Sequence, residues 1–120
     1  THDHDVLVIN DGEMVHRESV SGVAAIAADG NYSRVYFVTG KKVFLRKTLA
    51  EWEDELVEAG HVRACFQRIS RSLIVNPAWI DHVEAPTRER GRLVVTGIDA
   101  PFELGRRTLR RLRDVLSGEP

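Results

Sequence analysis

With a single cysteine, Cys65, the chain can form no intrachain disulfide, so its fold has to be held without staples. Long apolar runs are missing too. None nears the ~18 residues needed to cross a bilayer, which predicts no membrane contact by this chain. No apolar stretch follows a basic start, so a secretory leader is not indicated and a cytoplasmic setting is expected, with a membrane-tethered full-length protein as the alternative. Four prolines and nine glycines, with no internal repeat or low-complexity tract, exclude proline-rich and fibrous classes. Catalytic signatures are absent as well: there is no Gly-x-Ser-x-Gly turn, no phosphate-cradling glycine loop and no histidine pair at metal-binding spacing on a helix. His16, His61 and His82 stand alone in the sequence and read as surface or hydrogen-bonded histidines. Cys65, beside Ala64 and Phe66, reads as a core thiol. No catalytic residue and no cofactor is expected.

What is present is enough for one globular domain, since a chain of 120 residues buries roughly two thirds of its unfolded surface. The net charge of −1 conceals a gradient along the chain. Residues 1–30 carry one basic and six acidic side chains, whereas residues 61–120 carry eleven arginines against seven acids and no lysine. Arginine presents a planar fork that can grip a phosphate or a guanine edge with two hydrogen bonds, which lysine cannot. Solvated ion pairs are the plainer account of such a charge excess. His2, His4, Asp3 and Asp5 have metal-ligand chemistry but no second cluster at a defined spacing, so residues 1–5 read as a disordered or linker remnant with no metal site. The domain is then expected over 6–117, with a partner domain upstream in a longer protein.

Short β-like runs separated by turn residues dominate from Val6 onward. Val6–Asn10 and Glu13–Arg17 flank Asp11-Gly12, a strong hairpin signal. Val23–Ala27 is an apolar run closed by Asp29-Gly30-Asn31, and Arg34–Val38 and Lys42–Arg46 flank Thr39-Gly40-Lys41. Alternation places Val35, Phe37, Val43 and Leu45 on apolar faces. Thr48-Leu49-Ala50-Glu51 has the form of a capping box, predicting a helix over about Leu49–Ala59 with an acidic outer face. Further strands are expected at Phe66–Ile69, Ser72–Val75, Ile80–Ala85, Leu93–Thr96 and Phe102–Leu104, with a polar, basic loop over Thr87–Gly91. A last helix over Arg106–Leu116 places Leu109, Leu112, Val115 and Leu116 on one side and Arg107, Arg110, Arg111 and Asp114 on the other.

The segment Phe66-Gln67-Arg68-Ile69-Ser70-Arg71-Ser72-Leu73-Ile74-Val75-Asn76, followed by Pro77 and Ile80, resembles the LytTR DNA-binding domain. Ile26–Tyr32 is similar to that family's I-x-A-x-G-N-Y stretch, Arg46–Leu49 to its R-x-(S/T)-L segment, and Leu104–Arg107 to its closing Ser-Arg-Arg segment. Ser70 stands where the family commonly has histidine, and Gly105 where it has serine. The resemblance spans about Val6–Leu116 and implies a mainly β fold. The expected form is an elongated sandwich of short, mostly antiparallel sheets, about eight to ten strands, with one central helix and a short C-terminal helix.

The same resemblance implies a transcription-regulator output domain, commonly of a two-component response regulator, that reads double-stranded DNA with loops. Arg71, Arg106 and Ser33 are the expected base contacts. Arg34, Tyr32, Ser70, Ser72, Arg68, Arg107, Arg88 and Arg90 are the expected phosphate or supporting residues. Arg68 has a second reading as a sheet arginine paired to Glu84 or Asp81, and Asn76 is expected to order its own turn. Two copies are expected as a pair on repeated half-sites, with a receiver or sensor domain upstream. A protein-interaction module on the same fold is the alternative.

Overall fold

The computed structural model describes residues 6–58 and 66–117. Expectations for residues 1–5, for His61 and Cys65, and for the end of the first helix near Gly60 fall outside the described residues.

Ten strands are described: β1 Val6–Asn10, β2 Val15–Ser19, β3 Val23–Asp29, β4 Tyr32–Phe37, β5 Lys42–Leu45, β6 Gln67–Ser70, β7 Leu73–Val75, β8 Ile80–Glu84, β9 Arg90–Val95 and β10 Phe102–Gly105. Two α-helices join them, α1 over Leu49–Glu58 and α2 over Arg106–Ser117. The strands form three antiparallel sheets, a β1-β2 hairpin, a five-stranded sheet ordered β5-β4-β3-β7-β6 and a three-stranded sheet ordered β10-β9-β8. The mainly β, elongated sandwich with a central and a C-terminal helix is thus observed, with extents of 42 × 30 × 24 Å.

Local chemistry accounts for the first hairpin. Asp11 Oδ1 accepts from the backbone N–H of Glu13 and Met14, at 2.9 and 2.8 Å, and Oδ2 meets His16 Nε2 at 2.9 Å. The His16 contact first, then those two amides, holds the Asp11 carboxyl down at about 2. At the start of α1, Glu51 Oε1 accepts from Thr48 N–H at 2.8 Å and Thr48 Oγ1 accepts from Glu51 N–H at 3.2 Å. This is the reciprocal box expected from the sequence. The Thr48 amide, then its hydroxyl, keeps the Glu51 carboxyl below its ordinary value. A carboxyl lowered in the folded state adds stability above its unfolded pKa, and that stability is lost as pH falls through the folded value. Thr48→Ala is expected to cost about 1 kcal/mol and to flatten the melting-temperature profile on the acid side of pH 5, read by circular dichroism. An unchanged acid limb would place the acid sensitivity elsewhere.

The five-stranded sheet is covered on both faces. Val23, Ile26, Val35, Phe37, Val43 and Leu45 pack with Leu7, Ile9, Trp52 and Leu56 on one side. Ala24, Ala25, Leu73 and Val75 pack with Leu93, Leu104, Leu109 and Leu112 on the other. Hence β3 reads as a continuous apolar run rather than an alternating one, because both of its faces are buried. Leu116, expected with the apolar side of α2, is 45% exposed.

β9 begins at Arg90, three residues before the expected Leu93, so Arg90-Gly91 belongs to the strand and not to the basic loop. The cause is pairing with β10, Arg90 with Gly105 and Gly91 with Leu104. A Cβ on Gly91 would lie 2.9 Å from both Glu84 O and Leu109 Cδ1, so glycine here lets α2 seat against β9.

Candidate nucleic-acid interface

One end of the five-stranded sheet brings together two of the expected DNA-facing segments, the β3-β4 and β6-β7 turns. Tyr32 pairs with Asp29 across the β3-β4 turn, and Ala27 pairs with Leu73 across β3 and β7. Ala28 N–H donates to Ser72 O at 2.9 Å, which sets the β6-β7 turn, Arg71-Ser72, beside the β3-β4 turn. The helix α2 packs against β6. The space between is an open groove of about 870 Å³, walled by the Ser70–Ser72 turn and by Arg107, Arg110 and Arg111. Glu53 and Asp114 also line it, so the groove is strongly but not uniformly basic.

Arg71 is exposed at the tip of its turn. The turn beneath it is tied down: Ser72 N–H donates to Ser70 Oγ at 3.2 Å, and Arg68 donates from Nε to Ser70 O and from Nη2 to Arg71 O, each at 3.1 Å. Arg68 pairs with Glu53 of α1 at 2.6 Å, not with Glu84 or Asp81 as the sheet-arginine reading supposed. The expected acidic helix thus reaches the turn through one ion pair.

Arg106 and Arg107 open α2 and are both exposed. Because Gly105 pairs with Arg90, the α2 N-terminus lies next to the segment bearing Arg88 and Arg90. That segment is shaped by Thr87 Oγ1, which accepts from the N–H of Glu89 and Arg90 at 3.1 Å each. Arg92 is engaged otherwise, 3.6 Å from Glu84 and 3.4 Å from Glu103. Arg34 Nη2 meets Asp29 at 3.1 Å and its guanidinium lies 5.5 Å from the Phe44 ring centroid. Tyr32 stacks on Phe44 with centroids 4.9 Å apart and planes 3° apart, an exposed aromatic pair beside the turns.

Ser33 does not fit a base contact. It is 0% exposed, and its Oγ accepts from the Trp52 indole N–H at 2.7 Å. On β4 it shares a face with Val35 and Phe37, pointing at α1. A buried hydroxyl that satisfies a buried donor is a structural group. Asn76 orders its own turn as expected, accepting from Ala78 N–H at 3.1 Å, and also donates to Val23 O at 3.1 Å across the sheet.

Arg110 and Arg111 are not among the residues expected at the site. The signal for them is present in the sequence, since they follow Arg107 at helical spacing on the polar side of α2.

A model of the LytTr DNA-binding domain family matches residues 13–117. The chain belongs to this family. Among solved structures, the LytTr DNA-binding domain of a putative methyl-accepting/DNA response regulator from Bacillus cereus superposes with a TM-score of 0.73 at 19% identity, covering 93% of this chain and 96% of that one. At that identity the likeness shows a shared fold. No curated protein matches the chain. The LytTR match assigns a DNA-binding domain, not a catalytic one, and no helix among the described residues is long and apolar enough to cross a membrane.

Proposed function

We propose that this LytTR domain is the output domain of a bacterial transcription regulator and binds double-stranded DNA sequence-specifically. The observation that carries this is the groove in which the Arg71 turn faces the arginines of α2. Arg71 and Arg106 read base edges in the major groove, where an arginine takes guanine O6 and N7 together. Arg107, Arg110 and Arg111 along α2 hold phosphates, with Arg34, Arg88 and Arg90 extending the basic surface. Backbone N–H groups at the start of α2 add a phosphate site that needs no side chain at Gly105. Ser70 and Ser72 shape the turn, and Tyr32 and Arg68 support the surface. Two copies occupy repeated half-sites about one helical turn apart on one face of the duplex. A receiver or sensor domain upstream raises their effective concentration on the site. The setting is the cytoplasm, with no membrane contact by this chain.

Selecting bound duplexes from a random pool, then titrating the selected and a scrambled duplex by anisotropy across salt, tests this. A recurring motif bound at least about tenfold tighter than the scramble is expected. The log affinity should fall with log salt by about 0.9 per phosphate held. No enrichment, with no binding even at low salt, would favour the interaction-module reading. The outer face of the β1-β2 hairpin supports that second reading, because Val8, Met14 and Val15 are 56%, 60% and 63% exposed. Concentration-dependent dimerisation in the ultracentrifuge without duplex binding is its signature.

A further inference from the structure

The Arg71 turn is held more firmly than its surface position requires. All three of its successive carbonyls are engaged: Ser70 O and Arg71 O by the Arg68 guanidinium, and Ser72 O by the Ala28 amide. The Arg68 guanidinium is itself oriented by Glu53 Oε1 at 2.6 Å, from the neighbouring helix α1. A planar fork can serve two carbonyls and one carboxylate at once, whereas a lysine ammonium on its flexible stem cannot hold the same three directions. With the backbone fixed in this way, the freedom that remains at the tip is that of the Arg71 side chain.

We infer that the Glu53–Arg68 pair is a positioning device for DNA recognition: Glu53 sets the Arg68 fork, the fork fixes the Ser70 and Arg71 carbonyls, and the turn presents Arg71 in one orientation to the base edge. Neither residue touches DNA in this role. A bidentate base contact tolerates little displacement, so holding the backbone in advance is what turns a flexible cation into a reader. The inference rests on Arg71 being a base reader.

A strut and a plain surface charge give opposite results on removal. Glu53→Gln deletes a negative charge that lines the groove. If charge were its whole role, the variant would bind selected and scrambled duplexes equally more tightly, with their ratio unchanged. As a strut partner, its loss lets the turn drift, and the ratio between the selected and the scrambled duplex should fall about tenfold. Arg68→Lys keeps the charge and should lose the same ratio, with binding to the scramble and its salt slope retained. In a double-mutant cycle, adding Arg68→Lys to Arg71→Ala should cost no further discrimination. Melting temperatures measured alongside should move by no more than about 5 °C, because a half-exposed ion pair adds little stability. Full wild-type discrimination in Glu53→Gln and Arg68→Lys, while Arg71→Ala loses it, would overturn the inference and leave the base-reading function intact. Wild-type discrimination in Arg71→Ala itself would remove Arg71 as a base reader and the inference with it, leaving Arg106 as the reader.

Discussion

Trp52→Ala is expected to cost about 3–5 kcal/mol, a large share of the stability of a domain this size. Trp52 is 1% exposed and lies where α1 meets the five-stranded sheet, packed with Val35, Phe37 and Val43. Its ring also carries the Lys47 ammonium, 4.2 Å from the centroid, and that ammonium is paired with Glu55. Burial pulls the Lys47 pKa below its ordinary value. Truncation therefore removes a large apolar area, opens a cavity that the rigid sheet cannot close, and leaves Ser33 Oγ without its donor. Urea denaturation should show the loss as a lower midpoint with an unchanged slope. Ser33→Ala separates the polar part. It leaves the indole N–H buried and unpaired, at about 1–3 kcal/mol, and should lower the melting temperature while sparing DNA discrimination. A stable Ser33→Ala protein with lost discrimination would restore Ser33 to the interface.

The burial of Ser33 is legible in the strand period alone. Alternation that turns Val35 and Phe37 inward turns Ser33 inward with them and leaves Tyr32 and Arg34 outside, as observed. Its place in the motif points Ser33 toward DNA, and the strand period overrides that. Turns and caps are legible for a related reason: Asp11-Gly12 and Thr48-x-x-Glu51 act through bonds within a few residues, so their chemistry is written locally. Arg68 is the opposite case. Its partner Glu53 is fifteen residues away on another element, and which acid meets a sheet arginine depends on how the helix lies across the sheet. The same holds for Gly91, which reads as loop from Arg-Gly-Arg and is a strand residue because it pairs with Leu104 of β10, with Leu109 packed where a Cβ would stand. The arginine groove combines both kinds of information. Helical period gives the row Arg107, Arg110 and Arg111, but tertiary packing alone brings that row opposite Arg71.

Charge along the chain and charge in space are therefore different quantities. α1 is acidic on its outer face and would repel a duplex if it lay in the interface. Among the described residues it presents one carboxylate toward the groove, Glu53, and that one is paired with Arg68. Glu55 is likewise held by Lys47, and Glu84 and Glu103 are held by Arg92. Glu53, Glu55, Glu84 and Glu103 are thus paired to neighbours, and the arginines that line the groove outnumber its two acids, Glu53 and Asp114, despite a net charge of −1. Attraction to phosphate depends on the local field within about one Debye length, which is how a near-neutral domain can still engage a duplex.

Removing Arg71 and Arg106 together is expected to abolish sequence preference while preserving most non-specific binding. Each bidentate contact to guanine discriminates by about 1–3 kcal/mol, so either single alanine should reduce preference about 5- to 150-fold. The two sit on different elements, the β6-β7 turn and the first turn of α2, and share no partner among the described residues, so their losses should nearly add. The affinity for a scrambled duplex should weaken only modestly, because the row Arg107, Arg110 and Arg111, proposed to hold phosphates, remains. Arg110→Ala should do the reverse: equal weakening on every sequence and a salt slope reduced by about 1. A panel of single-base variants of the selected site separates the cases. The positions that become degenerate in Arg71→Ala and in Arg106→Ala should be different and should each contain guanine. If Arg71→Ala instead weakens all duplexes alike and lowers the salt slope, then Arg71 is a phosphate clamp. Base reading would then rest on Arg106 alone, and Arg106→Ala by itself should abolish sequence preference.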